Sequence, residues 1–314
     1  MSTEYLSRGQ LTALVRRSLK YAFEPRPELR IVREAPPSPP LVSVIIPTYN
    51  RSNVLRFAIH SVLWQSEENF ELLVIGDGCT DDSEPVVRSF GDARIQWHNL
   101  PANTGHQSAP VNAGLSMARG RYIANLGHDD IWHPLHLRTM LAALRSAPGD
   151  VAVSLVEMMG PKHTNYRVLA GVHPEGSYDP VKCSPPSGLM FAREVYEKVG
   201  PWPHYRTVWR NPECEFQYRA YLAGFRFVPT RELTVYKFNS TLWKNSYFEK
   251  PYQEQQNYLT RIQTSRWFQL KEALAIANVH VRRLEMQSPV LPEPPTPDTP
   301  GWYVTQYRKL RGLE

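Results

Sequence analysis

An α/β fold, with a doubly wound, mostly parallel sheet and helices on both faces, is what this sequence predicts. Three observations carry that expectation. Apolar runs rich in β-branched residues recur at Leu41 to Ile46, Glu71 to Ile75, Tyr122 to Leu126 and Val151 to Val156. Stretches of helical period separate them, as a parallel sheet with crossover helices requires. Polar residues, many of them Gly and Asp, gather at the carboxyl ends of the runs, where open α/β sheets hold their ligands.

In order along the chain, residues 1–40 hold a helical stretch from Gln10 to Ala22. There Leu11, Leu14, Val15 and Leu19 recur at helical spacing, with Arg16, Arg17 and Lys20 elsewhere. This helix reads as a flap docked on the main body, with a peripheral membrane contact as the alternative. Pro25, Pro27, Pro36, Pro37, Pro39 and Pro40 then form an extended tether, since each fixes φ and removes a donor. The first strand ends at Pro47, and Ser52 is placed to cap a helix carrying Leu55, Ile59, Val62 and Leu63. With the Glu71 to Ile75 strand this makes a βαβ unit. A strand at Ile95 to His98, a helix from Ala109 to Met117 and a helix from Pro134 to Arg145 continue the alternation. After residue 157 the pattern loosens, with helices near Arg193 to Val199 and Glu213 to Ala223 and an edge strand before Val235. One long helix is expected over Tyr252 to Leu284, carrying Leu259, Ile262, Phe268, Leu270 and Leu274. Pro289, Pro292, Pro294, Pro295, Pro297 and Pro300 follow, then a basic aromatic tail from Trp302 to Glu314.

Composition bounds the function without choosing it. The chain has 314 residues, 42% of them hydrophobic, enough for one large α/β unit with appendages. A net charge of +6 suits an anionic partner. Acidic residues are interspersed throughout, however, and no nucleic-acid motif accompanies the charge, so nucleic acid is not expected as a partner. Cys79, Cys183 and Cys214 are odd in number and widely scattered, which indicates neither a disulfide framework nor a zinc site and points to a reducing compartment. There is no run of about 18 apolar residues and no apolar core of a signal peptide. A cytoplasmic protein is expected, at most peripheral at the inner face of a membrane.

The chemistry sits at the strand ends. Asp129 and Asp130 follow the Tyr122 to Leu126 run, and two adjacent carboxylates there suit a hard cation such as Mg²⁺ or Mn²⁺ paired with a nucleotide diphosphate. Pro47, Thr48, Tyr49 and Asn50 close the first strand, where Tyr49 can stack on a base. Gly76, Asp77, Gly78, Cys79, Thr80, Asp81 and Asp82 close the second, and Asp77 can accept from a pyrimidine N3 hydrogen; read alone, this segment is equally an Asx turn with a helix cap. Asn103, Thr104 and Gly105 lead into His106 and a helix bearing Asn112, Ala113 and Gly114. His128, His133 and His136 lack the spacing of a zinc helix, so solvated or helix-end histidines are expected.

In this order, strand-PTYN, strand-GDGCTDD, NTG with VNAG, and RYIANLGHDD followed by Trp132 and Pro134 resemble the nucleotide-binding half of glycosyltransferase family 2, which has the GT-A fold. The resemblance runs over roughly residues 41 to 240. It implies that Pro47, Tyr49 and Asp77 hold the base, that Asp129 lies near the ribose, that Asp130 takes the metal and that His106 contacts the diphosphate. Thr48, Asn50, Gly105 and Lys237 join the expected nucleotide-sugar site, and Asp129 is a second metal candidate. The sequence departs from the family's Asp-x-Asp-Asp in having Gly127, and a metal role for His128 stays open. Further on, Arg210 to Arg219 resembles the helix start that carries the family's general base, which places Glu213 on the base position and Glu215 on the second acid; either carboxylate can serve.

The resemblance divides the chain into an N-terminal helix and tether (1–40), a nucleotide-sugar-binding half (41–157), an acceptor-binding and catalytic half (158–250) and a C-terminal helix with a Pro-rich basic tail (251–314). It implies an inverting, metal-assisted transfer from a nucleotide-sugar donor, a UDP-sugar in first place, to a glycan, lipid-linked or small-molecule acceptor. Lys237, Asn239 and Lys244 are candidates for leaving-group contacts, and Trp202, Tyr205 and Trp209 for acceptor stacking. The rivals are a catalytically degenerate module that only binds, a sugar nucleotidyltransferase and a dinucleotide-dependent dehydrogenase. The last two want a Gly-rich loop after the first strand, and Pro47-Thr48-Tyr49-Asn50 is not one.

Overall fold

A computed structural model describes residues 6–34, 39–146, 149–173, 177–285, 297 and 299–313. Its helices and strands run in the order α1 (Arg8–Lys20), β1 (Val42–Thr48), α2 (Ser52–Leu63), β2 (Phe70–Gly76), α3 (Ser83–Ser89), β3 (Ile95–Asn99), α4 (Ser108–Met117), β4 (Tyr122–Asn125), β5 (Ile131–Trp132), α5 (His136–Ser146), β6 (Val151–Met159), β7 (Arg167–Ala170), β8 (Leu189–Ala192), α6 (Arg193–Val199), α7 (Pro212–Leu222), β9 (Phe227–Phe238), α8 (Ser246–Glu249), α9 (Gln253–Thr264), α10 (Phe268–Glu285) and α11 (Trp302–Arg311). The tether prolines Pro36 and Pro37, and Pro289, Pro292, Pro294 and Pro295, lie outside the described residues.

The α/β expectation holds. One sheet runs β3-β2-β1-β4-β8-β6-β9-β5, with β7 paired to the end of β6 beyond β8, on the edge opposite β9. The order β3-β2-β1-β4 is parallel throughout, and β6 and β9 are parallel as well. Antiparallel pairings at β8, β7 and β5 join and border these blocks. Strand alternation assigns the two faces. Val42, Val44 and Ile46 of β1 pack with Leu55, Ile59 and Val62 of α2, whereas Ile45 packs on the other side with Val111 and Leu115 of α4. Both faces are covered, which is why the strands read as unbroken apolar runs.

Several local expectations are corrected. Pro47 does not end β1; it pairs opposite Ile75 of β2, while the register with β4 stops at Ile45, so on that side no ladder bond is lost to the missing N–H. Ser52 is not the cap of α2; Arg51 holds that position and the Ser52 hydroxyl donates to Asp82 instead. The strand before Val235 is no edge: β9 continues to Phe238 and pairs with both β6 and β5. The single long helix is two, broken at Ser265 to Trp267, which rephases the second part so that Phe268, Glu272, Ala273 and Ile276 point inward and Leu274 outward. His133 and His136 stand at the start of α5, as the helix-end reading expects; His133 is half-buried and His136 is not solvated. His136 is fully buried, bonds Thr234 through Nδ1 at 2.7 Å and stacks on Trp132 with ring centroids 4.3 Å apart.

The N-terminal helix docks as the flap reading expects. Leu11 and Leu14 enter a cluster with Ala273 and Ile276 of α10, and Lys20 meets Glu232 at 2.6 Å. No helix among the described residues is long and apolar enough to cross a membrane.

The contact between α4 and β1 gives a test of this packing. Alanine in a helix interior ordinarily gains about 1 kcal/mol over glycine. At Gly114, however, a Cβ would stand 2.6 Å from Cγ2 of the fully buried Ile45, and overpacking of that kind costs about 1–3 kcal/mol. Gly114→Ala is therefore expected to lower the urea midpoint at unchanged slope; a raised midpoint would show that the helix and sheet are less closely packed.

Candidate active site

The ends of β1, β2 and β4 open into one cavity of about 230 Å³, bounded on the opposite side by α7 and α11. Pro47, Thr48 and Tyr49 line it from β1, and Asp77 lines it from β2. The Asp77 backbone N–H donates to the Thr48 carbonyl at 2.8 Å, which locks the two loops together. Its carboxylate accepts from the Thr104 hydroxyl at 2.7 Å and from Asn103 Nδ2 at 2.9 Å, while burial raises its pKa against those bonds. Gly78 must be glycine here, because its φ is +70° and a Cβ would lie 2.4 Å from the Asn103 nitrogen. Asn50 does not line the cavity. It takes a left-handed conformation, and its Oδ1 accepts from the Thr80 and Asp81 backbone nitrogens at 2.8 and 3.2 Å, so it shapes the loop pair.

Gly105 and His106 reach the cavity from the loop before α4. His106 Nδ1 accepts from the Ser108 backbone N–H at 3.2 Å, which leaves the ring proton on Nε2. Burial pulls its pKa down to about 3, so at neutral pH it offers a neutral N–H and no positive charge. His128 is also neutral, lowered to about 4 by burial. Its Nδ1 faces the Pro47 carbonyl at 3.2 Å and its Nε2 faces the Tyr247 hydroxyl at 3.4 Å, so both ring nitrogens are engaged and a metal role for His128 is not supported.

The two aspartates divide. Asp129 lines the cavity, whereas Asp130 lies fully buried behind it. One Asp130 oxygen accepts from Ser187 at 2.5 Å and from Lys237 Nζ at 3.1 Å; the other, Oδ1, is buried without a partner. Burial pushes the Asp130 carboxyl up to about 6, with the Lys237 charge opposing. The departure at position 127 has a structural reason. A Cβ on Gly127 would stand 2.8 Å from Asp130 Oδ2 and 3.3 Å from Asp129 Oδ1, so a side chain there would crowd both carboxylates. Asp129 in the lining and the orphaned Oδ1 of Asp130 behind it are oxygen donors of the type a hard divalent ion takes. No cluster of three or more His, Cys, Asp or Glu accompanies them among the described residues, so other ligands of such an ion would come from phosphate and water.

Opposite stands α7, whose Pro212 and Glu213 occupy the first turn after Asn211. Glu213 lines the cavity, its Oε2 is buried without a hydrogen-bond partner, and burial raises its pKa against Lys237 and Arg311. Glu215 does not line it, because two residues along a helix turn a side chain to the far face. Of the two acids the sequence leaves open, only Glu213 faces the cavity.

The cysteine expectation is overturned. Cys183 and Cys214 form a disulfide, leaving Cys79 as the free thiol among the described residues. A separation of 31 residues carries no sequence signature, and the ground for expecting a reducing compartment is removed. The bond fastens the first turn of α7 to the segment that delivers Ser187, and Gln217 adds bonds to the Ser184 nitrogen and carbonyl at 3.1 and 2.9 Å.

Lys237 and Asn239 line the cavity, but Lys244 is exposed and outside it. Trp202 reaches the lining while packing on Phe216, Tyr205 is buried beside His106, and Trp209 is more than half exposed on the surface. The sequence reading missed Ser187, Tyr247 and the residues of α11. For α11 a signal existed: Arg308 and Arg311 stand three apart, one helix face, in a stretch read only as a basic tail.

Comparison with known proteins bears on the family and the fold. The family described as Glycosyl transferase family 2 matches residues 43–200, half of the chain. An uncharacterized glycosyltransferase of Rickettsia prowazekii (strain Madrid E) is 41% identical over 95 residues, 30% of this chain and 29% of its own length. The chain thus spans under a third of that relative. Among solved structures, S. aureus TarS 1-349 in complex with UDP-GlcNAc aligns with a TM-score of 0.52 at 15% identity, over 86% of this chain and 90% of that one. The mannosyltransferase PcManGT from Pyrobaculum calidifontis, in complex with GDP-Man and Mn²⁺, aligns at 0.51 and 15% identity, over 98% and 96%. These likenesses bear on the fold, which is of the GT-A type. With the family match over half its length, the chain belongs to glycosyltransferase family 2.

Proposed function

We infer that the cavity binds a nucleotide-activated sugar, a UDP-sugar in first place, and that the enzyme passes the sugar to an acceptor hydroxyl with inversion. One observation carries this reading: Glu213, with its buried Oε2 lacking a hydrogen-bond partner, lines the same cavity as Tyr49, Asp77 and Asp129. In this scheme Tyr49 and Asp77 hold the base and Asp129 the ribose. The acceptor oxygen attacks the anomeric carbon while Glu213 takes its proton, and the bond to the diphosphate breaks on the opposite side. His106 contributes a neutral Nε2–H donor. Asp129 and the free Oδ1 of Asp130 are the groups that would hold Mn²⁺ or Mg²⁺, whose chemistry is to neutralise the departing diphosphate.

Three outcomes are expected. Glu213→Gln should bind nucleoside diphosphate as the wild type does by calorimetry but lose transfer by about 10²–10⁴-fold; full turnover in that variant would remove Glu213 from the base role. Because burial raises the Glu213 carboxyl and the base works ionised, the rate should fall as pH drops through a value above the usual glutamate pKa of about 4.3. A pH profile flat down to that value contradicts the assignment. Asp130→Asn should abolish any gain in nucleotide affinity on adding Mn²⁺, measured against EDTA, and a gain left intact would place the ion elsewhere.

A further inference from the structure

The helix α11 lies outside the matched residues 43–200, yet Val304, Tyr307, Arg308 and Arg311 from it line the cavity. It is fastened at three points. The Gly301 nitrogen donates to the Val208 carbonyl at 3.0 Å, the Asn245 nitrogen to the Leu310 carbonyl at 3.0 Å, and Arg308 Nη1 to the Gly105 carbonyl at 2.8 Å. Gly301 itself sits at φ +82° against the Tyr205 backbone, where a Cβ would stand 3.1 Å from the Tyr205 carbonyl oxygen. The helix therefore starts from a position that only a glycine fills easily and ends over the site.

Charge in the cavity makes the role of this helix specific. Three carboxylates line it, those of Asp77, Asp129 and Glu213. The lining cations are Lys237, Arg308 and Arg311, and Lys237 already pairs with Asp130. His106 and His128 are held neutral by burial. Without α11, a diphosphate entering here would meet carboxylates and one committed ammonium.

Arg311 stands at the centre of this balance. Its positive charge acts on His106, His128, Asp129, Glu213 and Lys237 alike. Its guanidinium stands 6.0 Å from the centre of the Tyr307 ring, and its Nε is buried without a hydrogen-bond partner among the described residues. An N–H removed from water without a partner is unfavourable, and a guanidinium fork matches phosphate oxygens. Resting on the nucleotide-sugar reading of the cavity, we propose that Arg311, carried by α11 across the cavity mouth, is the diphosphate ligand of this enzyme, and that Arg308 is a positioning residue that docks the helix on the Gly105 loop. This clamp is built from the chain's own C-terminal segment and binds the diphosphate directly, with or without a divalent ion.

The test is calorimetric titration of the full chain, in EDTA, with UDP, GDP and dTDP and with the matching nucleoside monophosphates. Arg311→Ala is expected to cut the preference for diphosphate over monophosphate at least tenfold at an unchanged melting temperature, with Arg311→Lys restoring part of it. Arg308→Ala should weaken both nucleotide forms together. If Arg311→Ala fails to fold, Arg311→Met keeps the stem of the side chain and takes its place. A wild-type preference retained in the Arg311 variant, or an equal loss of both forms, would overturn the proposal while leaving the nucleotide site standing. A wild-type chain that binds none of these nucleotides would overturn the reading of the cavity and the clamp with it.

Discussion

A carboxylate taken out of water has to be compensated, and at Asp130 the compensation ties the molecule together. The Ser187 hydroxyl and the Lys237 ammonium converge on one Asp130 oxygen from segments 57 and 107 residues away. Removing one partner of a buried pair of this kind typically costs about 3–5 kcal/mol, because the other is left charged and alone. The loop after β4, the segment before β8 and the end of β9 are thereby held to a common point. Asp129, next in the chain, is presented to the cavity by the same arrangement.

From that point the two halves of the site are positioned by different means. The side proposed to hold the donor relies on the parallel β1–β2 pair, whose loops are cross-linked by Asn50 and by the bond from Asp77 to Thr48. The opposite side relies on covalent and helical anchors: the Cys183–Cys214 bond, the Gln217 contacts and the docked α11. Burial sets the protonation of the groups between them. It keeps His106 and His128 neutral and raises Glu213, so the positive charge facing the cavity comes from Lys237 and the arginines of α11.

Much of the cavity lining on the β1 and β2 side was legible in the sequence because a strand end is a local feature. An apolar run followed by Pro47-Thr48-Tyr49, or by Gly76-Asp77-Gly78, announces both the element and the end of it that lines the cavity. Glu213 was legible only as one of two acids, and the helical turn between it and Glu215 decided which one faces inward. What escaped depends on contacts distant in sequence. The short β7 and β8 carry too few residues to show a period, and the pairing of Cys183 with Cys214 follows from where α7 lands. The docking of α11 is a tertiary fact, although its two arginines at helical spacing could have been read as one face. Gly127, which looks like a lost metal ligand in sequence, proves to be the residue that gives the two carboxylates room.

The most direct test of the central claim is a crystal structure of the chain with whichever nucleoside diphosphate it binds. The account predicts the base against Tyr49 and Asp77, the ribose beside Asp129, and the diphosphate between Asp129 and Arg311 with its open end toward Glu213. A nucleotide bound outside this cavity, or one with its diphosphate turned away from Glu213, would contradict it.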